Sequence, residues 1–248
     1  STHFIGTTDN TDIVFKRNNV RAGFIGNPDT SSGSGKMNTS FGANSLTALT
    51  TGIRNTAVGT NVLPSNTSGE RNTAIGEQTM FSNTSGLNNT AVGVGALYSN
   101  TTASDNVAIG RNALTSSNGN GNTALGFRAL NNNAIGENNV AIGYNAGYRE
   151  IGSNKLYIHS SSSNTLANTG PDVALLYGEF DNKVLRVNGA LQISNPATAN
   201  GYALPTNRGT AGQVLQTNGA GGTSWASNTV KPYTTTGAAT GIYNISLN

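Results

Sequence analysis

Side chains able to do chemistry are scarce in this chain of 248 residues, and their spacing is poor for catalysis. The close carboxylate pairs are Asp9 with Asp12 and Glu179 with Asp181. Glycoside cleavage needs two carboxyl groups converging at about 5 to 9.5 Å, and turn positions account for these acids equally well. The two histidines, His3 and His159, lie far apart in strand-like contexts. Gly33-Ser34-Gly35-Lys36 has part of a phosphate-loop pattern. It lacks the earlier Gly, the Ser or Thr directly after the Lys, and a following helix. With no cysteine there is neither a disulfide scaffold nor a thiolate metal site. The residues therefore point to a non-enzymatic chain with no cofactor or metal, and a sugar-cleaving site is the weakest of the readings considered.

The composition leads to the same place. Charged residues make up 10% of the chain and aromatics 6%, while Gly alone contributes 32 residues. A globular domain carries about 25% charged residues, and disorder goes with high charge or Pro. Weak charge with strict periodicity leaves repetitive β structure. The formal charge of +3 comes from singly scattered Lys and Arg, so no basic stripe exists to track a nucleic acid. No apolar run approaches the roughly 20 residues that span a bilayer, so no membrane insertion of this segment is expected.

The periodicity resides between Asn38 and Gly147, where a nine-residue phrase of the form Asn-Thr-Ala-Val-Gly-x-x-small-Leu recurs. Its copies start at Asn38, Asn55, Asn72, Asn89, Asn106, Asn122 and Asn139, spaced 17, 17, 17, 17, 16 and 17 residues apart. A fixed period of this length signals a solenoid whose units bury their apolar side chains against their neighbours. Gly after each Val-type residue and Asn-Thr-Ser-Gly linkers exclude helix. The phrase predicts an all-β parallel roll with repeats of about 17 residues, each coil made of two short strands joined by two turns.

Alternation along the strand places the second and fourth positions on one side, as with Thr56 and Val58, and the third-position Ala on the other with Asn and Gly. The Thr/Val and Ile/Val side is expected to fill the core, with Leu at the ninth position as a second anchor. The Ala/Gly side is expected to admit a second backbone. Gly at the fifth position suits positive φ or a crowded corner, and the first-position Asn residues suit a stacked hydrogen-bonded ladder. Asn133-Ala134-Ile135-Gly136 reads as an extra, shortened copy, marking a compressed coil or bulge.

The chain divides into a β lead-in and hinge (1–36), the roll (37–150), a hairpin or neck (151–193) and an extended, stalk-like tail (194–248). In the lead-in, Asp9-Asn10 is expected to turn between strands and Val20–Ile25 to form another. In the neck, Lys155–His159 reads as a strand, and Val173–Phe180 and Lys183–Val187 flank an Asp181-Asn182 turn. The tail holds Trp225 and stops after Ile242-Tyr243-Asn244-Ile245, as if a further domain had begun.

Roll turns project side chains outward once per repeat. Phe81, Tyr98, Phe127, Tyr144 and Tyr148, with Arg111 and Arg128, are the candidate ligand-binding residues, with Arg54 and Arg71 also projecting. Aromatics could stack on sugar rings and Arg could hold acidic groups; equally, these aromatics could pack onto the roll or between chains. The sequons at Asn38, Asn66, Asn83 and Asn100 follow from composition and carry no inference of glycosylation.

Asn106-Val107-Ala108-Ile109-Gly110 and Asn139-Val140-Ala141-Ile142-Gly143 resemble the signature of the left-handed parallel β-roll in trimeric autotransporter adhesin heads. The resemblance covers about Asn38 to Gly147, and the period here is longer. Three flanking segments are similar to parts of phage tail fibres and large surface fibre proteins of the Bacteroidetes group: Phe4–Asn10, Asn182–Gly189 and Gly209–Thr217. The resemblance implies an intertwined homotrimer that attaches to a host cell or surface ligand, either a glycan or a protein receptor. It places the chain outside the cell, on a virion tail fibre or spike or on a bacterial cell surface, alongside other fibre, virion or envelope proteins. Such fibres often carry a C-terminal self-cleaving chaperone domain, of which nothing is visible here. A purely structural spacer with the binding tip elsewhere is the alternative. Packing three Ala/Gly faces around an axis favours the same trimer. There, three copies of His159 could gather around a metal ion, although an ordinary hydrogen-bonded His is simpler.

Overall fold

The computed structural model describes residues 13–17, 20–25, 37–160, 171–188, 192–193, 202–203, 210, 213–217 and 223–227. The chain forms two compact units, Ser1–Gly189 and Ala190–Asn248.

The first unit is built on one 12-stranded sheet whose order follows the sequence. Strands β1 (Ile13–Arg17) and β2 (Val20–Ile25) pair antiparallel, and β2 pairs antiparallel with β3 (Thr39–Phe41). Six parallel steps follow, through β4 (Thr56–Val58), β5 (Thr73–Ile75), β6 (Thr90–Val92), β7 (Val107–Ile109), β8 (Thr123–Leu125) and β9 (Val140–Ile142). Every step joins equal positions of the phrase, as in Thr56 opposite Thr73 and Ala57 opposite Ala74. The chain is thus a parallel β-solenoid with one coil per repeat. At about 4.8 Å per coil the column rises on the order of 30 Å. Strand β10 (Lys155–Ile158) continues the parallel stack on β9. Strands β11 (Leu176–Glu179) and β12 (Val184–Val187) close it as an antiparallel meander. The expected hairpin around Asp181-Asn182 is present. The expected turn at Asp9-Asn10 lies outside the described residues; β1 pairs forward, with β2.

Each coil carries one three-residue strand, not two. Its return side runs through turns whose backbone still bonds from coil to coil, as Leu46 N–H to Val62 C=O and Met80 N–H to Ala96 C=O. Strand geometry fails there because the ninth-position residues sit at positive φ, from 48° to 51° at Leu46, Leu63, Met80, Leu97, Leu114 and Leu130. A left-handed non-Gly residue costs roughly 1–3 kcal/mol, and the complete burial of these side chains offsets it. At positions seven and seventeen the positive φ falls on residues that tolerate it, Asn, Asp105, Gly95 or Gly121, in most coils, and on Arg54, Arg71, Gln78 and Arg128 in the others.

The two sides of the strand are the reverse of the expected ones. The third-position residues Ala57, Ala74, Ala91, Ala108, Ala124 and Ala141 are fully buried inside the coil, together with the first-position Asn and the ninth-position Leu or Met. The fourth-position Phe41, Val58, Ile75, Ile109, Leu125 and Ile142 point outward and stay 38–45% exposed. A coil of 17 residues encloses a narrow lumen. Leu from one wall fills it against the Ala methyl of the other, and Val or Ile there would overpack it. The Asn amide must also lie inside to reach the backbone groups it serves.

Those amides form a continuous ladder. The Oδ1 atoms of Asn38, Asn55, Asn72, Asn89, Asn106 and Asn122 each accept from the backbone N–H of the next Asn, at 2.8–3.0 Å. Asn139 Oδ1 accepts from Lys155 N–H at 2.8 Å. The Nδ2 atoms cross the coil, as Asn72 to Gly86 C=O at 2.8 Å. A second ladder stands at position twelve, with Asn100 Nδ2 donating to Asn83 Oδ1 and Asn83 Nδ2 to Asn66 Oδ1, each at 2.8 Å. All four sequon amides are therefore ladder members, Asn66, Asn83 and Asn100 in the second ladder and Asn38 in the first. All four are fully buried, which closes them to a glycan in the folded chain.

The fifth-position Gly is required twice over. Gly76 has φ of 125°, and a Cβ there would stand 2.8 Å from the backbone carbon of Gly93 in the next coil.

Asn133-Ala134-Ile135-Gly136 is not an extra copy. It is the ordinary position-twelve turn of a coil of full length, with Asn133 Oδ1 accepting from Gly136 N–H at 2.7 Å. The missing residue belongs to the coil before it, where Asn118 alone fills the place that Thr101 and Thr102 occupy one coil earlier. Its Oδ1 accepts from both of their N–H groups, at 3.1 and 3.3 Å.

In the second unit, β13 (Gln192–Ile193) pairs antiparallel with β14 (Tyr202–Ala203). Strand β15 (Gln213–Thr217) pairs with β16 (Thr223–Ser227) and sets Leu215 opposite Trp225. The tail thus contains local hairpin pairing where plain extension was expected.

Candidate functional site

The outward face of the strand column carries two rows of side chains. Position two contributes Thr39, Thr56, Thr73, Thr90, Val107, Thr123 and Val140. Position four contributes Phe41, Val58, Ile75, Val92, Ile109, Leu125 and Ile142. No charge interrupts either row. The stripe extends below through Phe15, whose ring lies 5.3 Å from that of Phe41, and above through Ile158, opposite Ile142. Burial of a whole Val or Ile side chain is worth about 1.5–3 kcal/mol, so covering the exposed two-fifths would add roughly 1 kcal/mol per residue. Sequence reasoning named these residues but sent them inward, because alternation fixes which residues share a side and leaves open which side is inside. The available signal was size. An Asn-Ala-Leu set fits within a coil of this length and a Val/Ile set does not.

At the end of the strand that follows the Gly corner, the turn side chains assemble into columns. The sequence-derived candidates fall into three groups. Phe81 and Tyr98, both at position ten of adjacent coils, stack with centroids 5.0 Å apart and planes 6° apart. Phe127 and Tyr144, at position six, stack at 4.7 Å and 29°. Two cations join that second pair: the guanidinium carbon of Arg128 is 4.9 Å from the Phe127 centroid, and that of Arg111 is 5.7 Å away. Tyr148 stands apart, beneath Arg149 at 6.0 Å. In-register stacking explains the pairs, since equal positions in successive coils lie one strand spacing apart. Arg149 was not singled out by sequence reasoning, and only its adjacency to Tyr148 could have found it.

The other titratable cluster belongs to the cap. Glu150 replaces Asn at position twelve in the last coil, accepting from Tyr157 Oη through one carboxylate oxygen and from Gly152 N–H at 2.6 Å through the other. Tyr157 and Tyr177 meet edge to face at 5.2 Å. Tyr177 Oη donates to Glu179 Oε1 at 2.7 Å, and Lys155 Nζ lies 3.8 Å from that oxygen. Burial, and then the hydrogen bonds to Glu150 and Glu179, push both phenol groups well above the usual tyrosine range. Hydrogen bonds from Asn182 and Tyr177 hold the Glu179 carboxyl below its ordinary value. Glu179 and Asp181, the sequence-level carboxylate pair, are thus split. Glu179 is engaged by Tyr177 and Asn182, and Asp181 accepts from Asn182 N–H at 3.0 Å. Asp9, Asp12, His3 and Gly33-Ser34-Gly35-Lys36 lie outside the described residues. Among the described residues no group of three or more His, Cys, Asp or Glu comes together, and no helix is long and apolar enough to cross a membrane.

Fold and surface together define an all-β parallel solenoid of about seven coils, with an outward apolar stripe and aromatic turn columns. No protein-family profile, curated protein or solved structure matches the chain.

Proposed function

We propose that the chain is a subunit of an extracellular homotrimeric fibre or adhesin that mediates attachment to a host cell or surface ligand. The observation that carries this reading is the uncharged Thr/Val/Ile stripe running the length of the column. An exposed apolar band of such length marks an association surface. Its occupant is a second copy of the chain, because copies related by rotation about an axis parallel to the column set equal coils, and so equal stripe residues, at the same height. Closed cyclic symmetry then buries every stripe with none left over. The Ala/Gly side expected to serve this purpose is consumed inside each coil, so the interface moves to the opposite row. The likeness of the phrase to adhesin heads supports the same assembly, and the outward turn columns supply surface for a ligand.

Sedimentation equilibrium of the intact chain tests the assembly. The expected mass is three times the 25.4 kDa of one chain, falling to that of one chain in Ile75→Glu/Ile109→Glu. A monomeric wild type would overturn the reading. Attachment is tested separately, by whether excess protein blocks adsorption of the particle or cell that bears it. An assembled trimer without blocking activity would leave a spacer.

A further inference from the structure

We infer that the corner formed by Arg111, Phe127, Arg128 and Tyr144 is a binding site for an acidic polysaccharide. This rests on the reading of the roll as an adhesive surface and names the chemistry of what it holds.

The two ends of the strand differ in charge over the last four coils of the roll; one coil before them Glu77 stands at position six, two coils from Arg111. The end preceding the strand, at positions sixteen and seventeen, mixes Arg54 and Arg71 with Glu70, Asp105 and Glu137, and Arg71 is paired with Glu70 at 3.2 Å. The end following it, at positions six and seven, carries in its last four coils Val94, Gly95, Arg111, Asn112, Phe127, Arg128, Tyr144 and Asn145. There are two cations and no acid. Neither Arg111 nor Arg128 has a carboxylate within ion-pair reach among the described residues. Both guanidinium groups instead lie against the ring of Phe127. Stacking on a ring limits the rotamers of an Arg without consuming its N–H donors. That arrangement is prepared for bidentate donation to a carboxylate or sulfate. The Phe127 ring is occupied by Arg and Tyr144, so the aromatics position the cations rather than offer an open platform to a sugar.

Spacing selects the class of ligand. Arg111, at position six, and Arg128, at position seven, belong to adjacent coils, and coils step about 4.8 Å along the column, comparable to one sugar unit of an extended polysaccharide. An extended acidic peptide advances about 3.4 Å per residue and turns alternate side chains away, which matches the coil-to-coil step poorly. The Tyr144 ring, 40% exposed, adds an edge and a hydroxyl next to the cations, suited to a polyhydroxylated chain.

The test titrates the intact protein by calorimetry with an oligogalacturonate, a heparin-derived octasaccharide, maltooctaose and polyglutamate. Binding by one or both acidic saccharides is expected, the two arms telling carboxylate from sulfate. Affinity should fall as salt rises, by at least tenfold in Arg111→Ala/Arg128→Ala, and by less than twofold in Arg54→Ala/Arg71→Ala. No binding by either acidic saccharide at millimolar concentration would overturn the inference. So would equal binding of maltooctaose, tighter binding of polyglutamate, or an unchanged affinity in the Arg111/Arg128 variant. Because the adsorption assay is independent, blocking that persists in this variant would remove the saccharide and leave the adhesive reading in place.

Discussion

The roll from Asn38 to Gly147 and the cap from Glu150 to Asn188 both bury polar groups, and they do it with different chemistry. Inside the roll the buried polar side chains are uncharged: amides in two ladders, with hydroxyls such as Thr79 Oγ1 bonded to Gly76 and Gly93 carbonyls. The cap substitutes Glu150 for the position-twelve amide and ends the lumen with Tyr157 and Tyr177, each bonded to a carboxylate. A neutral ladder propagates without limit, because each rung presents the next with the donor and acceptor it received. A phenol–carboxylate pair does not repeat in this way: the carboxylate only accepts and the phenol gives its one proton to it. The difference teaches where a stack of this kind can extend and where it must stop.

The largest test of that contrast breaks a rung. Asn89 Oδ1 accepts from Asn106 N–H and Nδ2–H, and its Nδ2 donates to Ala103 C=O and Asn72 Oδ1. Asn89→Ala leaves several buried groups unpaired at roughly 1–3 kcal/mol each, so chemical denaturation should show a loss of about 3–5 kcal/mol. The exposed Ser99→Ala on the return side should stay within about 0.5 kcal/mol. A small loss at Asn89 would mean that the ladder is ornamental and the apolar lumen alone holds the coils. Gly76→Ala comes next, at about 2–4 kcal/mol, since it sets a Cβ against Gly93 and strains φ as well.

Alkaline pH should separate the regions. The raised phenol values of Tyr157 and Tyr177 mean that in the folded cap these groups stay neutral, while in the unfolded chain they ionise near pH 10. Their contribution to stability is therefore complete below about pH 10 and is lost as pH rises above it. The melting temperature should fall from about pH 10 upward. Tyr157→Phe/Tyr177→Phe should flatten that fall while costing about 1–3 kcal/mol at neutral pH, through the bonds it removes from Glu150 and Glu179. An unchanged alkaline slope in the double variant would place the sensitivity elsewhere.

The sequence made the repeat legible because its signals are local. The period, the Gly corner and the turn residues each follow from backbone demands that a single coil already imposes. The Asn ladder was legible too, since equal positions in a stack must meet. The inside and the outside of the strand were not. Choosing between them needs the volume of the lumen, which depends on the return wall, and that wall's left-handed Leu and Met residues leave no mark in a pattern of apolar spacing. Among the candidate ligand residues, the stacks Phe81–Tyr98 and Phe127–Tyr144 follow from the period once positions are aligned. The pairing of Arg128 with Phe127, its own neighbour in the chain, depends on side-chain directions that alternation does not give.

The smallest prediction sits where the second ladder is interrupted. At position twelve of the fifth coil Ser117 replaces Asn, and its hydroxyl and Asn100 Oδ1 are both buried without a hydrogen-bond partner among the described residues. The rungs on either side are Asn100 and Asn133, so Ser117→Asn would extend an Nδ2–H toward the idle Oδ1 of Asn100. One recovered bond is worth about 1 kcal/mol, which in a chain of this size raises the melting temperature by about 2–4 °C. The same coil is one of two that advance 16 residues in place of 17, the other being the last, where Val140 pairs with Leu156 and Glu150 stands in place of the position-twelve Asn, and this gives the opposite outcome a definite meaning. A lower melting temperature would show that the shortened turn has drawn the wall inward until only Ser fits. The deletion and the substitution would then be one compensated change, and the ladder would tolerate a missing rung only where the coil also contracts.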